Sequence, residues 1–346
     1  MCKSSNLPGV ILRLWILVFL FLNNLSIGWT HHTQLSPRAK KDIQIFISSL
    51  NARYSIDVSY LESIFDKVKA QPKALRLIKP SKRKKSLEIL WDDYRNLFVN
   101  QDNVKKGKLF ISENLTTLKK AHEIYGVPPA TVAAIIGVET KYGYHQGKFP
   151  VFDTLATLAF QDSGRREFFR KELESLILLY FEQKLPIERL KGSYAGALGM
   201  PQFMPSSWRE FAVDFDQDGK TDLLTSSKDA IGSVANYLNK HGWDKDIPTH
   251  SRAVSVSGSN PEQFFTDKLQ AEFKYRELKK NGFKDPLNKI PLGLNVSLVD
   301  LRLKNKKVIF WLATNNFFAV TKYNRSYKYA AAVLELSEAL EDESNL

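Results

Sequence analysis

The sequence predicts an α+β fold that is mostly α, with a helical body and a smaller sheet-containing region near the C-terminus. Apolar residues recur at helical spacing through residues 36–125. A glycine-rich stretch then separates further segments with the same spacing. After about residue 250 the pattern changes to alternating polar and apolar residues and to runs rich in β-forming residues. With 346 residues, the chain is long enough for two domains or for one elaborated domain.

The first residues are typical of a secretory signal peptide. A positively charged start precedes the apolar run Leu14–Leu22, and small residues follow at Ser26 and Gly28. We therefore predict a signal peptide over residues 1–28. The apolar run is too short to span a bilayer comfortably. An uncleaved anchor that also uses Val10–Leu12 remains open, and it would keep the protein at a membrane.

The single cysteine limits the chemistry of the exported protein. Cys2 precedes the apolar run, so the sequence does not predict a lipoprotein. Cleavage near Gly28 would leave a chain without thiols, which excludes disulfides, cysteine metal sites and a cysteine nucleophile. An exported protein of this kind must be held together by its core.

The composition is basic, with 50 Lys and Arg against 37 Asp and Glu and a formal charge of +13. A basic exported protein suits a polyanionic partner, such as a cell-wall polymer or an anionic membrane surface. Export argues against nucleic acid as the partner. We expect the densest basic run, Lys79–Lys85, to be a solvated loop.

Helical spacing predicts several separate helices in the body. We expect them around Ile43–Leu50, Tyr60–Val68, Leu115–Tyr125, 165–183, 207–213 and 228–241. Ser207–Glu210 fits a capping box that would open one of them. Asp153 fits the N-cap of another short helix.

The C-terminal region is expected to mix strands and helices. Arg252–Gly258 alternates polar and apolar residues, and Val308–Leu312 and Phe317–Tyr323 have the composition of strands. A helix is expected near 261–271. The final helix is predicted over Tyr327–Glu341.

One glutamate stands out in the body because it occupies an apolar helix position. Pro128 and Pro129 fit a helix start, and Gly143 fits its end. Within that span Val132, Ile135, Ile136 and Glu139 follow the spacing of a buried stripe. A buried carboxyl is costly unless it is paired or protonated, and desolvation raises its pKa. Glu139 is therefore a candidate general acid. A position at the stripe's edge, with a salt bridge or solvent as partner, remains the alternative.

An acidic segment with the pattern of an EF-hand-like calcium loop begins at Asp214. Oxygen ligands occur at loop positions one, three, five and nine, and Gly219 occupies the required sixth position. The twelfth position holds Thr225 instead of a glutamate, so Asp229 is the candidate closing carboxylate. The candidate ligands are Asp214, Asp216, Asp218, the backbone carbonyl of Lys220, Asp222 and Asp229. The predicted cofactor is structural Ca²⁺; an acidic turn without metal is the alternative.

Three long motifs, in this order, resemble the lytic murein transglycosylase B family. They are Tyr125–Gly143, the glycine-rich Gly192–Ser207, and Asp229–Tyr237. The resemblance extends from Trp91–Arg95 to Thr321–Val333, which is nearly all of the mature chain.

The resemblance implies a lysozyme-like helical core with an embedded calcium loop, an extra helical region and a small sheet-containing domain. The expected domains are residues 29–125 as an N-terminal helical region, 126–250 as the catalytic core with its calcium loop at 214–229, 251–326 as a small β-containing domain, and 327–346 as a C-terminal helix that packs back on the helical body. A periplasmic location is implied as well.

The resemblance also implies an activity. The family cleaves the β-1,4 bond between N-acetylmuramic acid and N-acetylglucosamine in peptidoglycan without water, because the muramyl C6 hydroxyl attacks C1 and leaves a 1,6-anhydro end. A hydrolase usually needs two carboxyls, whereas an internal hydroxyl nucleophile needs one acid and base. Near Glu139 the sequence shows one convincing carboxyl, and Asp153 and Asp162 remain open as a second.

Other residues match family positions that line the saccharide groove. By the resemblance, Glu139 is the catalytic residue, and the substrate-binding residues are Tyr94, Arg165, Arg166, Ser193, Met200, Gln202, Phe203, Tyr237, Tyr323, Asn324 and Tyr329. The arginines would meet a substrate carboxylate, and Gln202 would hydrogen-bond sugar groups. For each of them, ordinary core packing or a surface charge is the alternative.

Three rival functions stay open from sequence alone. The first is a lysozyme-type hydrolase with a water nucleophile, the second a non-catalytic peptidoglycan-binding scaffold, and the third a calcium sensor. Peptidoglycan is the expected partner, and other cell-wall enzymes are open as further partners. The histidines show no metal spacing and no Gly-x-Ser-x-Gly elbow occurs, so a zinc amidase or a serine hydrolase is not expected.

Overall fold

The structure, a computed structural model, describes residues 34–79 and 89–341. The predicted signal peptide and most of the basic run Lys79–Lys85 lie outside the described residues. Within the two described ranges, none of the helices combines the length and apolar character that a membrane span requires.

The chain forms two compact units. The helical unit contains residues 34–79, Asn100–Lys240 and 337–341, and the sheet unit contains Ile89–Val99 and His241–Leu336. This division differs from the domains expected from sequence, because Ile89–Val99 joins the C-terminal half and the sheet unit begins before residue 251.

The helical unit consists of short and medium helices with one small strand pair. Its elements are α1 (Pro37–Tyr54), α2 (Val58–Phe65), α3 (Pro72–Ile78), α5 (Gln101–Glu113), α6 (Leu115–Tyr125), α7 (Pro129–Thr140), α8 (Val151–Phe160), α9 (Arg166–Gln183), α10 (Pro205–Phe211), α11 (Ser227–Lys240), and the strands β1 (Phe149–Pro150) and β2 (Lys191–Gly192). The predicted helix at Leu115–Tyr125 is confirmed at both ends.

The sheet unit combines five strands with three α-helices and most of a fourth. Its elements are α4 (Trp91–Asn96), β3 (His250–Ser255), β4 (Phe273–Lys274), α12 (Tyr275–Lys280), β5 (Phe283–Lys284), β6 (Asn295–Arg302), β7 (Val308–Ala313), α13 (Asn315–Tyr323) and most of α14 (Tyr327–Glu341). The predictions of a strand at Val308–Leu312 and of a final helix at Tyr327–Glu341 are confirmed.

The five strands form an antiparallel sheet in the order β4-β6-β7-β3-β5. In its central pair, Leu298 of β6 lies opposite Leu312 of β7. Both side chains belong to a cluster of buried apolar residues that also includes Tyr275 and Leu278 of α12. The sheet therefore buries one face under α12 and the loops around it.

Two secondary-structure predictions for the sheet unit are wrong. Phe317–Tyr323 lies in α13, whose N-cap Thr314 accepts a hydrogen bond from the Asn316 amide. Phe317 and Phe318 are buried within this helix, so tertiary packing overrides the strand preference of the aromatic and β-branched residues. The expected helix near 261–271 is reduced to one 3₁₀ turn, Glu262–Phe264.

The helix predicted to end at Gly143 ends earlier. Helix α7 stops at Thr140, because Lys141 and Tyr142 both adopt left-handed backbone conformations, with φ of 50° and 61°. Almost every residue of α7 from Ala130 onward is buried. The stripe predicted on one side of α7 is therefore part of a helix that is buried on nearly all sides.

The capping box predicted at Ser207–Glu210 is wrong. Helix α10 begins at Pro205, and the preceding Met204 provides no side-chain cap. The cap comes from α9, where the two carboxylate oxygens of Glu172 accept hydrogen bonds from the Ser206 amide (3.0 Å) and hydroxyl (2.8 Å). A carboxylate at this helix end accepts a hydrogen bond from a backbone amide that has no partner within the helix. Its negative charge also interacts favourably with the positive end of the helix dipole.

The sheet unit should lose stability in acid because of one histidine. His250 is buried and stacks on Trp311 at 3.9 Å, and its burial lowers the pKa from 6.5 to about 3. Because the folded state prefers the neutral ring, stability is full above the ordinary pKa and falls as the pH drops below it. At pH 5 the cost of keeping the ring neutral is about 2 kcal/mol.

We expect His250→Gln to flatten this acid dependence of the sheet unit's unfolding midpoint between pH 7.5 and pH 5. Thermal unfolding of both proteins at the two pH values checks it. An equal loss of stability in the wild type and the variant would assign the acid sensitivity to other groups.

Candidate active site

Glu139 is the penultimate residue of α7 and is half-buried. Ile135 and Ile136, one turn before it, are fully buried. The carboxyl of Glu139 therefore lies at the point where an otherwise largely buried helix reaches the edge of the core. A carboxyl in this position is shielded from bulk solvent on the helix side and accessible on the other.

Thr140, the next residue, connects the end of α7 to the glycine-rich segment. Its hydroxyl donates to the Met200 carbonyl (2.8 Å) and accepts from the Gly143 amide (3.0 Å). The Met200 amide in turn donates to the Leu223 carbonyl (2.8 Å). One hydroxyl thus fixes the glycine-rich segment beside the candidate acid.

Gln202 is held by two backbone carbonyls. Its side-chain nitrogen donates to Gln146 (3.1 Å) and to Gly199 (2.9 Å). Both amide hydrogens are therefore used within the protein, and the amide oxygen is the group that remains to accept a hydrogen bond from a ligand. The backbone of Gln202 is left-handed, with φ of 51°, which is a strained conformation for a residue with a side chain.

The start of the glycine-rich segment crosses the loop after α7 at very short range. Gly147, with φ of 107°, approaches the Gly192 carbonyl so closely that a Cβ atom at Gly147 would lie 2.0 Å from that oxygen. Only glycine permits this crossing. The contact lies beside the pairing of β1 with β2 and fixes where the segment enters the site.

The remaining glycine-rich candidates are mostly internal. Ser193 is buried, and its hydroxyl accepts from the amides of Ala195 and Ala197. Phe203 is also buried and packs against Tyr237 with ring centroids 5.5 Å apart. The contacts of Ser193 fix the backbone of the segment, and Phe203 supports Tyr237. The third candidate, Met200, has a half-buried side chain.

The two candidate arginines have different surroundings. Arg165 lies 4.1 Å from the ring centroid of Phe168, and burial lowers its pKa while the charge of Glu172 raises it. Arg166 faces Asp42 at 3.7 Å. Arg165 is therefore part of a partly buried stack, whereas Arg166 belongs to an ion pair near the surface.

Four predicted substrate residues belong to the sheet unit and not to the unit of Glu139. Tyr94 stacks near Trp91 with centroids 6.5 Å apart, and Tyr323 stacks near Tyr329 at the same distance. Tyr329 and Asn324 are buried, whereas Tyr94 and Tyr323 are half-buried.

The acidic loop brings three carboxylates together. Asp214, Asp216 and Asp229 each offer an oxygen, and these atoms lie within 4.8 Å of one another. The Oδ1 atom of Asp216 is buried and has no hydrogen-bond partner within residues 34–79 and 89–341. Three grouped carboxylates, one of them with a buried oxygen that has no hydrogen-bond partner in those ranges, fit a hard cation such as Ca²⁺.

The other loop residues are used in local hydrogen bonds. The Asp218 carboxylate accepts from the Lys220 amide (2.9 Å), and that of Asp222 accepts from the Thr225 amide (3.0 Å) and hydroxyl. Asp229 accepts from the amides of Phe215 (2.8 Å) and Asp222 (2.7 Å), and its burial raises its pKa. The geometry thus groups Asp229, rather than the residue at position twelve, with the first two loop carboxylates.

Two carboxyls left open as a second catalytic group have other contacts. Asp153 is not the N-cap of α8, which is Pro150; it lies in the first turn and accepts from the Lys69 amide (3.2 Å). Asp162 is paired with Lys79 at 3.1 Å.

Sequence reasoning missed Glu172, although a signal was present. Glu172 lies between Phe169 and Leu173 on the apolar side of α9, and it is buried. Its burial raises its pKa, while its bonds to Ser206 and the charge of Arg165 lower it. The spacing rule that singled out Glu139 would have singled out this residue as well.

Comparison with known proteins agrees with these features. Residues 38–338 match the Transglycosylase SLT domain family. The membrane-bound lytic murein transglycosylase B of Escherichia coli (strain K12) is 36% identical over 304 residues, which cover 86% of this chain and 82% of that protein.

Solved structures show the same similarity. The Escherichia coli lytic transglycosylase Slt35 in complex with calcium has a TM-score of 0.77 and 35% identity, with 88% of this chain and 92% of that chain covered. Pseudomonas aeruginosa SltB3 in complex with NAG-anhNAM-pentapeptide has a TM-score of 0.77 and 27% identity, with 88% and 80% covered.

The fold and the site define a protein of the lysozyme-like transglycosylase class, with a mostly helical body and a small antiparallel sheet. The chain belongs to the Transglycosylase SLT domain family. The expected family and fold class are thereby confirmed.

Proposed function

We propose that the protein is a lytic transglycosylase that cleaves the β-1,4 bond between N-acetylmuramic acid and N-acetylglucosamine in peptidoglycan and leaves 1,6-anhydro ends. Family membership across residues 38–338 is the observation that carries this proposal. The named activity of the Escherichia coli relative and the anhydro-sugar ligand of SltB3 support it.

In the proposed mechanism Glu139 performs both proton transfers. Its carboxylic acid gives a proton to the glycosidic oxygen as the bond to C1 of the muramyl residue breaks. The C6 hydroxyl of the same residue then bonds to C1 and returns its proton to the carboxylate. Because the nucleophile belongs to the substrate, attack benefits from a high effective concentration and needs no second carboxyl.

The walls of the groove are proposed to hold the sugar in that geometry. The Gln202 oxygen would accept from a sugar hydroxyl or acetamide, and the half-buried Met200 would supply apolar surface. In the sheet unit, Tyr94 and Tyr323 are the half-buried aromatic candidates for sugar contacts. Ser193, Phe203 and Tyr237 would support the site in the helical unit from beneath, since they are buried. Asn324 and Tyr329 are likewise buried, within the sheet unit.

Mass analysis of digested peptidoglycan tests the function. Anhydro-muropeptides are the expected product, whereas reducing ends that contain one additional water molecule would establish a hydrolase. Binding to peptidoglycan without any cleavage would establish a scaffold.

We further propose that Asp214, Asp216 and Asp229 hold a structural Ca²⁺ that joins α10 to α11. The oxygen cluster, the orphaned Asp216 oxygen and the calcium complex of Slt35 support it. When bound, the ion would reduce the repulsion among these three neighbouring carboxylates.

Chelation should lower the melting temperature. At a calcium concentration of about 100 times the dissociation constant, binding adds about 2.7 kcal/mol, which corresponds to about 5–10 °C for a unit of this size. We expect Asp216→Asn to abolish the calcium-dependent shift and Asp246→Asn, at an exposed position of the sheet unit, to retain it. A melting temperature insensitive to calcium would refute the site, and a large conformational change would indicate a sensor.

The proposed location is the periplasm, where the enzyme would act in cell-wall turnover or remodelling. The N-terminal signal pattern supports it, and the Escherichia coli relative is described as membrane-bound. Fractionation of cells, with the N-terminus of the exported protein determined by mass spectrometry, separates a cleaved periplasmic protein from an uncleaved membrane-anchored one.

A further inference from the structure

Tyr144 is unusually exposed for an aromatic residue. It retains 71% of its accessible surface, the highest value among the large hydrophobic side chains of the described ranges. It follows Glu139 by five positions, in the turn that leaves α7. An exposed aromatic ring in a fixed position beside a catalytic candidate is a ready surface for the apolar face of a sugar.

The turn that presents Tyr144 is held on both sides. The preceding Tyr142 is buried, and its hydroxyl donates to the Asn103 carbonyl of α5 (3.1 Å). That ring lies so close to Gly107 and Gly137 that a Cβ atom at either would fall within 3 Å of it. Tyr142 therefore clamps the turn between α5 and α7, and the ring of Tyr144 is presented by a rigid backbone.

The same turn is tied to the proposed groove. The His145 amide donates to the Thr140 carbonyl (2.9 Å), and the Gln146 carbonyl accepts from Gln202. The Gln146 side chain donates to the Leu224 carbonyl (2.8 Å). Tyr144 thus lies on the backbone segment that joins Glu139 to the residues around Gln202.

A lysine side chain lies over the exposed ring. The Lys106 ammonium lies 5.8 Å from the ring centroid and 2.7 Å from Asp102. A hydrogen bond from Lys106 lowers the pKa of Asp102, and the charges of Lys141 and Lys105 lower it further. Lys105, Lys106 and Lys141 therefore lie near one carboxylate, and their ammonium groups can attract an anionic ligand.

We propose that Tyr144 and Lys106, with Lys105 and Lys141, form an additional peptidoglycan-binding subsite beside the groove, in which the ring packs on a sugar and the ammonium groups attract stem-peptide carboxylates. This inference rests on the proposed function. The subsite holds a longer stretch of the strand that is cleaved at Glu139. It therefore strengthens binding of the polymer more than binding of a short fragment.

The test is binding of soluble glycan strands, with and without their stem peptides, to proteins that also contain Glu139→Gln to prevent turnover. We expect Tyr144→Ala to weaken binding of both ligands about three- to tenfold. We expect Lys106→Gln to weaken only the peptide-bearing strands, about two- to fivefold, and to reduce the salt dependence of their binding.

Matched controls lie elsewhere on the helical unit. Tyr54 is also an exposed tyrosine, and Lys67 is an exposed lysine with one carboxylate partner, Glu188. Tyr54→Ala and Lys67→Gln should leave binding unchanged. Circular dichroism and melting temperature verify that each variant is folded.

The outcomes are separable from those of the proposed function. If the Tyr144→Ala variant bound the strands as tightly as the protein with Tyr144, the proposed subsite would be overturned. This holds even if the wild-type enzyme produces anhydro ends. Equal weakening of a disaccharide-peptide and of long strands also overturns it, because it would place Tyr144 in the central groove. Hydrolytic products from the wild type overturn the proposed function and leave the binding result intact.

Discussion

Replacing Glu139 with glutamine is expected to lower the rate of anhydro-muropeptide formation by about a thousandfold, since general acid–base groups contribute on this order. Glutamine preserves the shape of the side chain but cannot give up and recover a proton. The variant should keep its affinity for peptidoglycan, because the groove contacts remain. Chromatography and mass spectrometry of digested cell wall measure the product, and co-sedimentation with insoluble peptidoglycan measures binding.

A matched control is Glu123→Gln, at an exposed position on α6. It should digest the cell wall at the wild-type rate. If Glu139→Gln released anhydro-muropeptides as fast as the control, the carboxyl of Glu139 would have no part in the reaction, whatever its position at the end of α7.

Glu172→Ala is expected to reduce the free energy of unfolding of the helical unit by about 2–4 kcal/mol, because it leaves the Ser206 amide and hydroxyl without their acceptor and removes a counter-charge from Arg165. The loss of stability arises at the start of α10, where the glycine-rich segment ends. Denaturant unfolding followed by circular dichroism measures it.

The pH dependence of the same residue gives a second readout. Burial raises the pKa of Glu172 above its ordinary value of 4.5. Its stabilising contribution is therefore largest below that value and decreases as the pH rises through the raised pKa. Glu172→Gln should remove this dependence at a smaller cost than alanine, because the amide oxygen still accepts from Ser206. Alanine and glutamine variants of equal stability would show that the cap is unimportant.

The sequence predicted helices correctly where the spacing of apolar residues alone identifies the buried face. Leu115–Tyr125 and Tyr327–Glu341 have the predicted bounds because helical periodicity and tertiary burial coincide there. Phe317–Tyr323 did not follow its strand composition, because packing at both faces of α13 and the Thr314 cap favour a helix. Assignment of Ile89–Val99 to the sheet unit depends on contacts between distant residues, which local patterns do not encode.

Local sequence patterns likewise predicted only part of the site. The spacing that singled out Glu139 is visible in the sequence because it depends on a short local pattern. Asp229 was also visible, because it is the carboxylate four residues after Thr225 at the twelfth loop position. The role of Thr140 is not visible in this way, since its partner Met200 lies 60 residues later. The crossing of Gly147 and Gly192 and the cap from Glu172 likewise arise only when separate segments meet.

The hydroxyl of Thr140, which holds Met200 beside the end of α7, has a consequence for small-molecule inhibitors. A compound that contacted both the Glu139 carboxyl and the Gln202 amide oxygen would meet a receptor whose two halves are already assembled. Little of its interaction energy would be lost to induced rearrangement, so rigid sugar mimics should gain more affinity here than flexible ones of equal size.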